Sequence, residues 1–101
     1  MSGSPVYSTT IGVTGNSGSD NSHFSEPAQI AFDSSGRLYV MDTANYRVQR
    51  CAFASSWTCS TFFGMTGVPG NDLTHMDWAS GLTIDSSDNV FIADGLNYRV
   101  L

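Results

Sequence analysis

At 101 residues the chain has room for one domain with a modest core. A net charge of −5, with only four Lys plus Arg, argues against nucleic acid and against an anionic membrane surface, both of which call for clustered cations. No apolar run reaches the length of a membrane span, and abundant Gly, Ser, Thr and Asn suit short strands joined by polar turns.

In chain order, Met1–Ser4 reads as a tag or linker, since it lacks the basic and apolar regions of a signal peptide. Val6–Ile11 reads as a strand, and the polar stretch "GVTGNSGSDNSHFSEP" that follows reads as a connector. Strands are then expected at Gln29–Phe32 and Arg37–Met41, joined by an Asp-Ser-Ser turn opened by Asp33, and at Tyr46–Cys51 and Cys59–Phe63. A second connector, "GMTGVPGNDLTHMDWAS", leads to strands at Gly81–Ile84, Asn89–Ala93 and Tyr98–Leu101. Small, apolar and β-branched residues dominate the first two strands of each set, as expected where a strand is covered on both faces.

The second set repeats the first. At an offset of 52, residues 5–49 align with 57–101 without a gap, and 16 of those 45 positions are identical. Among them are Gly12/Gly64, Thr14/Thr66, Gly15/Gly67, Gly18/Gly70, Asp20/Asp72, His23/His75 and Asp42/Asp94, and the run closes on Asn-Tyr-Arg-Val at 45–48 and 97–100. Self-similarity at a fixed period means one supersecondary unit used twice, each burying its face on a neighbour. Four short antiparallel strands in about 50 residues fit a β-propeller blade, so the fold class is all-β with two blades per chain. The divisions are 1–4 tag or linker, 5–22 outer strand and connector, 23–74 a complete blade, and 75–101 the three inner strands of a split blade.

"EPAQIAFDSSGRLYVMDTANYRVQRC" and "WASGLTIDSSDNVFIADGLNYRVL" resemble NHL repeats. The resemblance lies in Pro-x-x-Ile-x-Phe-Asp, then Gly-x-Leu-Tyr-Val-x-Asp, then Asn-x-Arg-Val. Ala79 stands where Pro27 does in the first copy, and Asp88 where Gly36 does. The resemblance implies a propeller, commonly six-bladed, used mostly as a binding scaffold; a related amidating lyase shows that the architecture also hosts metal catalysis.

On this reading Val6–Ile11 is an outer strand with no sheet before it, and Tyr98–Leu101 is a third strand with no fourth after it. Two blades cannot close a ring, so a second chain is expected to supply the strand by head-to-tail β-augmentation. Six blades then require three chains: a C3 homotrimer in which Val6–Ile11 of each pairs with Tyr98–Leu101 of its neighbour.

Cys51 and Cys59 close one strand and open the next, a placement within disulfide range for adjacent antiparallel strands; the alternative is two separate reduced thiols. A bridge would imply a secreted parent. Asp42, Asn45 and Arg47 recur as Asp94, Asn97 and Arg99, and polar residues that occur once per blade serve each blade's own structure: Asp to cap the turn, Arg to pair with a carboxylate or carbonyl between blades.

The connectors hold the candidate ligand-binding residues Asp20 and His23, matched by Asp72 and His75, with Asp77 and Trp78 beside them. Trp78 suits stacking on a sugar ring or clamping a peptide; alternatively it wedges between blades while the His residues bond to backbone. Two His with no His-x-His or nearby Cys make a weak metal signal, and no metal or cofactor is expected. No nucleophile elbow or phosphate-cradling Gly loop is present, so the chain is not expected to be an enzyme.

Overall fold

The computed structural model describes residues 10–101. They form two antiparallel sheets. The first has four strands in the order β1-β2-β3-β4: β1 (Pro27–Phe32), β2 (Leu38–Asp42), β3 (Arg47–Phe53) and β4 (Trp57–Gly64). The second has three in the order β5-β6-β7: β5 (Gly81–Ile84), β6 (Val90–Asp94) and β7 (Arg99–Val100). Neighbours in the chain are neighbours in each sheet, a meander with the connectivity of a propeller blade.

Each first hairpin turns on an aspartate. Asp33 accepts from the Ser35 and Arg37 N–H groups at 3.0 and 2.9 Å, and Asp85 accepts from Ser87 and Asn89 at 2.9 Å. These turns take up Arg37 and Asn89, so β2 and β6 start one residue later than the residue pattern suggests. Gly36 takes φ +81° there, and Asp88 holds the same left-handed region at φ 65°. Each second connection is a single 3-10 turn, Thr43–Asn45 or Gly95–Asn97, ended by a left-handed tyrosine, Tyr46 or Tyr98. That geometry removes Tyr46 from β3 and Tyr98 from β7. The β6–β7 ladder nevertheless continues, since Leu101 and Ile92 exchange backbone hydrogen bonds at 2.8 and 3.0 Å.

Alternation along β2 sends its side chains to two cores. Tyr39 and Met41 join Val48 against Met76, Ala79, Leu82 and Ile92, the core that welds the two sheets together. Leu38 and Val40 join Cys51 on the opposite face, with Ile11, Phe24 and Trp57 packed around them. β2 is therefore buried along its whole length.

β1 does not share that cover. Ile30 and Phe32 are 63% and 58% exposed, because the packing over Leu38 and Val40 does not extend to their part of the face, and only Ala31, on the other face, reaches the shared core. The expected strand at 6–11 falls mostly outside the described residues; Thr10 and Ile11 are described and are not in a strand.

Candidate functional site

The residues shared by both units converge on the connector that precedes each sheet. Asp42 ends β2 fully buried. Its Oδ1 accepts the Ser25 N–H at 2.7 Å, and its Oδ2 accepts from Asn45 Nδ2 at 2.9 Å and Arg47 Nε at 2.8 Å. The carboxylate thus makes no bond to the backbone of the 3-10 turn it opens, contrary to the capping role expected of it. The Ser25 N–H, the Asn45 amide and the Arg47 guanidinium take three of its roughly four acceptor sites.

Arg47 spends its remaining donors on carbonyls. Nη1 reaches Ser19 O at 2.9 Å and Thr66 Oγ1 at 3.2 Å, while Nη2 reaches Asp20 O and His23 O at 2.8 and 3.0 Å. Asn45 Nδ2 also donates to Gly18 O at 2.8 Å. Arg47 thus pairs with a carboxylate of its own sheet and with carbonyls of the connector that enters it, because the connector folds back over the β2–β3 turn.

The second unit repeats the arrangement. Asp94 accepts from the Asp77 N–H, Asn97 and Arg99, and Arg99 donates to the carbonyls of Asn71, Asp72 and His75. Burial pushes the Asp94 carboxyl upward, but the Asn97 amide, the Asp77 N–H and Arg99 outweigh it and leave the group below its ordinary value.

The connectors themselves are closed by Asp–His pairs. His23 Nδ1 lies 2.6 Å from Asp20 Oδ1, and His75 Nδ1 lies 2.7 Å from Asp72 Oδ1. The His23 and His75 rings bond to carboxylates, while their carbonyls accept from Arg47 and Arg99. The His75 bond, with the Thr74 N–H, holds Asp72 down to about 2.

Each imidazole rests on the glycine five residues before it. A Cβ on Gly18 would come within 2.7 Å of His23 Cβ, and one on Gly70 within 2.7 Å of His75 Cβ. That contact explains why Gly-x-Asp-x-x-His appears in both copies.

Trp78 stands at φ 52°, 41% exposed, with its ring edge-on to Tyr46 at 6.3 Å between centroids. It belongs to the second unit and touches the first, with part of its surface open. Asp77 lies beside it, its N–H bound to Asp94. A groove of about 630 Å³ runs between residues 10–13 and the end of the β3–β4 hairpin; none of Asp20, His23, Asp72, His75, Asp77 or Trp78 lines it. Among the described residues no group of three or more His, Cys, Asp or Glu is placed to hold a metal ion.

Cys51 and Cys59 face each other across the β3–β4 ladder and form a disulfide, with Cα atoms 4.0 Å apart. Sequence reasoning missed three other features. Gln49 is fully buried and links Asn21 Oδ1 to Thr61 Oγ1 through its own amide. Thr43 Oγ1 donates to Ala79 O at 2.8 Å across the two sheets. The Asp88 carboxylate receives the backbone N–H and hydroxyl of Ser34 from the other unit. Only the last left a sign in the sequence, an aspartate where the first copy has a glycine.

The sheets, the per-unit anchor and the left-handed tyrosine define a blade-type repeat. Residues 24–51 match the NHL repeat, and this stretch of the chain, which holds β1, β2 and most of β3, is an NHL repeat. No curated protein matches the chain.

Proposed function

We propose that the chain is a module of an NHL-type β-propeller that works as a binding scaffold, with three copies closing a six-bladed ring. One comparison carries the reading. Val48 and Val100 occupy the same place in the two units, yet Val48 is fully buried and Val100 is 71% exposed. Tyr98 is 91% exposed, and Arg99 keeps 24% of its side-chain surface where Arg47 keeps 2%.

The difference has two causes. Val48 packs against Met76, Ala79, Leu82 and Ile92 of the second unit, with no counterpart over Val100 among the described residues. In the first sheet β4 lies along β3, and among the described residues nothing lies along the outer edge of β7. An open edge above an apolar face is a pairing site. The strand that would fit has the composition of β4, and the chain contains it at residues 6–11, aligned with 58–63. The number of blades rests on the NHL repeat.

A scaffold role is favoured over catalysis because the polar residues common to both units are engaged in holding connectors. The disulfide supports an oxidising, extracellular setting. Native mass spectrometry over a concentration series tests the assembly. A trimer of 3 × 10.8 kDa, about 32 kDa, is expected; a folded monomer of 10.8 kDa at every concentration would overturn it.

A further inference from the structure

Resting on the ring reading above, we propose that a second copy grips β7 through its Gly12, Thr14 and Gly15, and that this clasp, rather than the side-chain ties found between the two units of one chain, secures the seam between copies. The first unit shows what the clasp does. Gly64 passes over the left-handed tyrosine, where a Cβ would sit 2.3 Å from Tyr46 O and 3.1 Å from Arg47 Cα, so no other residue fits. Two residues on, Thr66 Oγ1 accepts from Arg47 Nη1 at 3.2 Å, and the Gly67 N–H donates to Asn45 O at 3.0 Å.

All parts needed for a second clasp are present. Tyr98, Arg99 and Asn97 repeat the receiving side, and Gly12, Thr14 and Gly15 repeat the gripping side. The gripping segment already has the right backbone. Gly12 and Gly15 take φ 95° and 77°, against 88° and 75° at Gly64 and Gly67. The Val68 N–H bonds to Met65 O at 2.9 Å, and the Asn16 N–H to Val13 O at 3.0 Å. Among the described residues, Asn97 O and the second acceptor place of Arg99 Nη1 are not filled as their counterparts are.

The blade faces differ in the opposite sense. Besides the shared apolar core, three contacts of a second kind tie the first unit to the second inside one chain: Thr43 to Ala79, Tyr46 to Trp78 and Ser34 to Asp88. At a seam between copies the same places hold Gly95 and Pro27, Tyr98 and Glu26, Ser86 and Gly36. None of the three contacts can form there: glycine has no hydroxyl, glutamate no ring and Gly36 no carboxylate. The seam keeps the strand clasp and loses the side-chain ties.

Glu26 and Trp78 share their backbone conformation, φ 53° and 52°, so the aromatic tie can be restored by one substitution. Analytical ultracentrifugation of the full chain and of three variants tests the proposal. Thr14→Val should weaken assembly about tenfold through the lost bond to a charged donor. Gly12→Ala should weaken it further, and Glu26→Trp should tighten it by about three- to tenfold. Circular dichroism of each diluted chain reports its own fold; Thr14→Val and Glu26→Trp decide the matter should Gly12→Ala not fold. A trimer unmoved by Thr14→Val and Glu26→Trp would overturn the clasp and leave the ring standing. A parent chain that never assembles would overturn the ring reading and the clasp with it.

Discussion

Arg47→Met is the substitution whose cost the structure defines best. The side chain is 2% exposed and its partner Asp42 is fully buried. Methionine fills much of the volume but returns no donor. It leaves Asp42 with a buried negative charge opposed only by the Ser25 N–H and the Asn45 amide, and deprives the carbonyls of Ser19, Asp20 and His23 of a shared partner. Removing one member of such a pair costs about 3–5 kcal/mol. A domain of this size has roughly 5–15 kcal/mol in total. With a urea dependence of roughly 2 kcal/mol per M, the unfolding midpoint should fall by roughly 2 M, read from Trp57 and Trp78 fluorescence.

Arg99→Met removes the corresponding bonds where water can reach them, so the dilute chain should lose clearly less stability than with Arg47→Met. A midpoint unchanged by Arg47→Met, or a larger loss from Arg99→Met in the dilute chain, would refute the view that the motif works as a buried anchor. Replacing Asp42 and Arg47 together should cost less than the sum of the single changes, since neither charge is then stranded.

Replacing both Cys51 and Cys59 by Ser should cost about 2.5 kcal/mol from the closed loop, lowering the melting temperature by roughly 10 °C without altering assembly size; calorimetry with native mass spectrometry checks both parts. Acid should destabilise the fold in a narrow window. Burial raises the Asp33 carboxyl, but the Arg37 N–H and guanidinium and the Tyr39 hydroxyl outweigh it and hold the group at about 2, against an ordinary 3.8. Its stabilisation is therefore complete above about pH 4 and lost as the pH falls towards 2, and Asp33→Asn should flatten that part of a urea-midpoint-against-pH curve. Trp78→Ala should lower stability by about 1 kcal/mol through the lost edge contact with Tyr46, measured by urea unfolding; an unchanged midpoint would leave Trp78 as a free platform for a sugar or peptide.

The architecture was legible because its signals are local. The offset of 52 exposes the duplicated unit, the Asp-Ser-Ser turns mark the first hairpins, and Cys51 and Cys59 already stand at facing positions of an antiparallel pair. The candidate site was legible only as a set of recurring polar residues. Which partners they take depends on how the connector folds back across the sheet, and contacts between residues some 25 apart leave no periodic trace. Thus Arg47 turned out to bind the carbonyls of its own connector, and the two His rings to bind carboxylates.

The blade-type repeat and its internal equivalences were open to reading from the residues alone, because the 52-residue offset, the turn residues and the short apolar runs are signals carried within the chain itself. Tertiary structure alone decided which equivalent residues are equivalent in environment. Val48 and Val100 are the same residue in the same motif, and one is buried while the other is exposed, because burial depends on whether a second sheet covers the face and a fourth strand lies alongside. Ile30 and Phe32 read as core residues and are exposed because the segments that cover Leu38 and Val40 do not reach them. Gln49 reads as a polar strand residue and is buried because Asn21 and Thr61 meet it from two other segments.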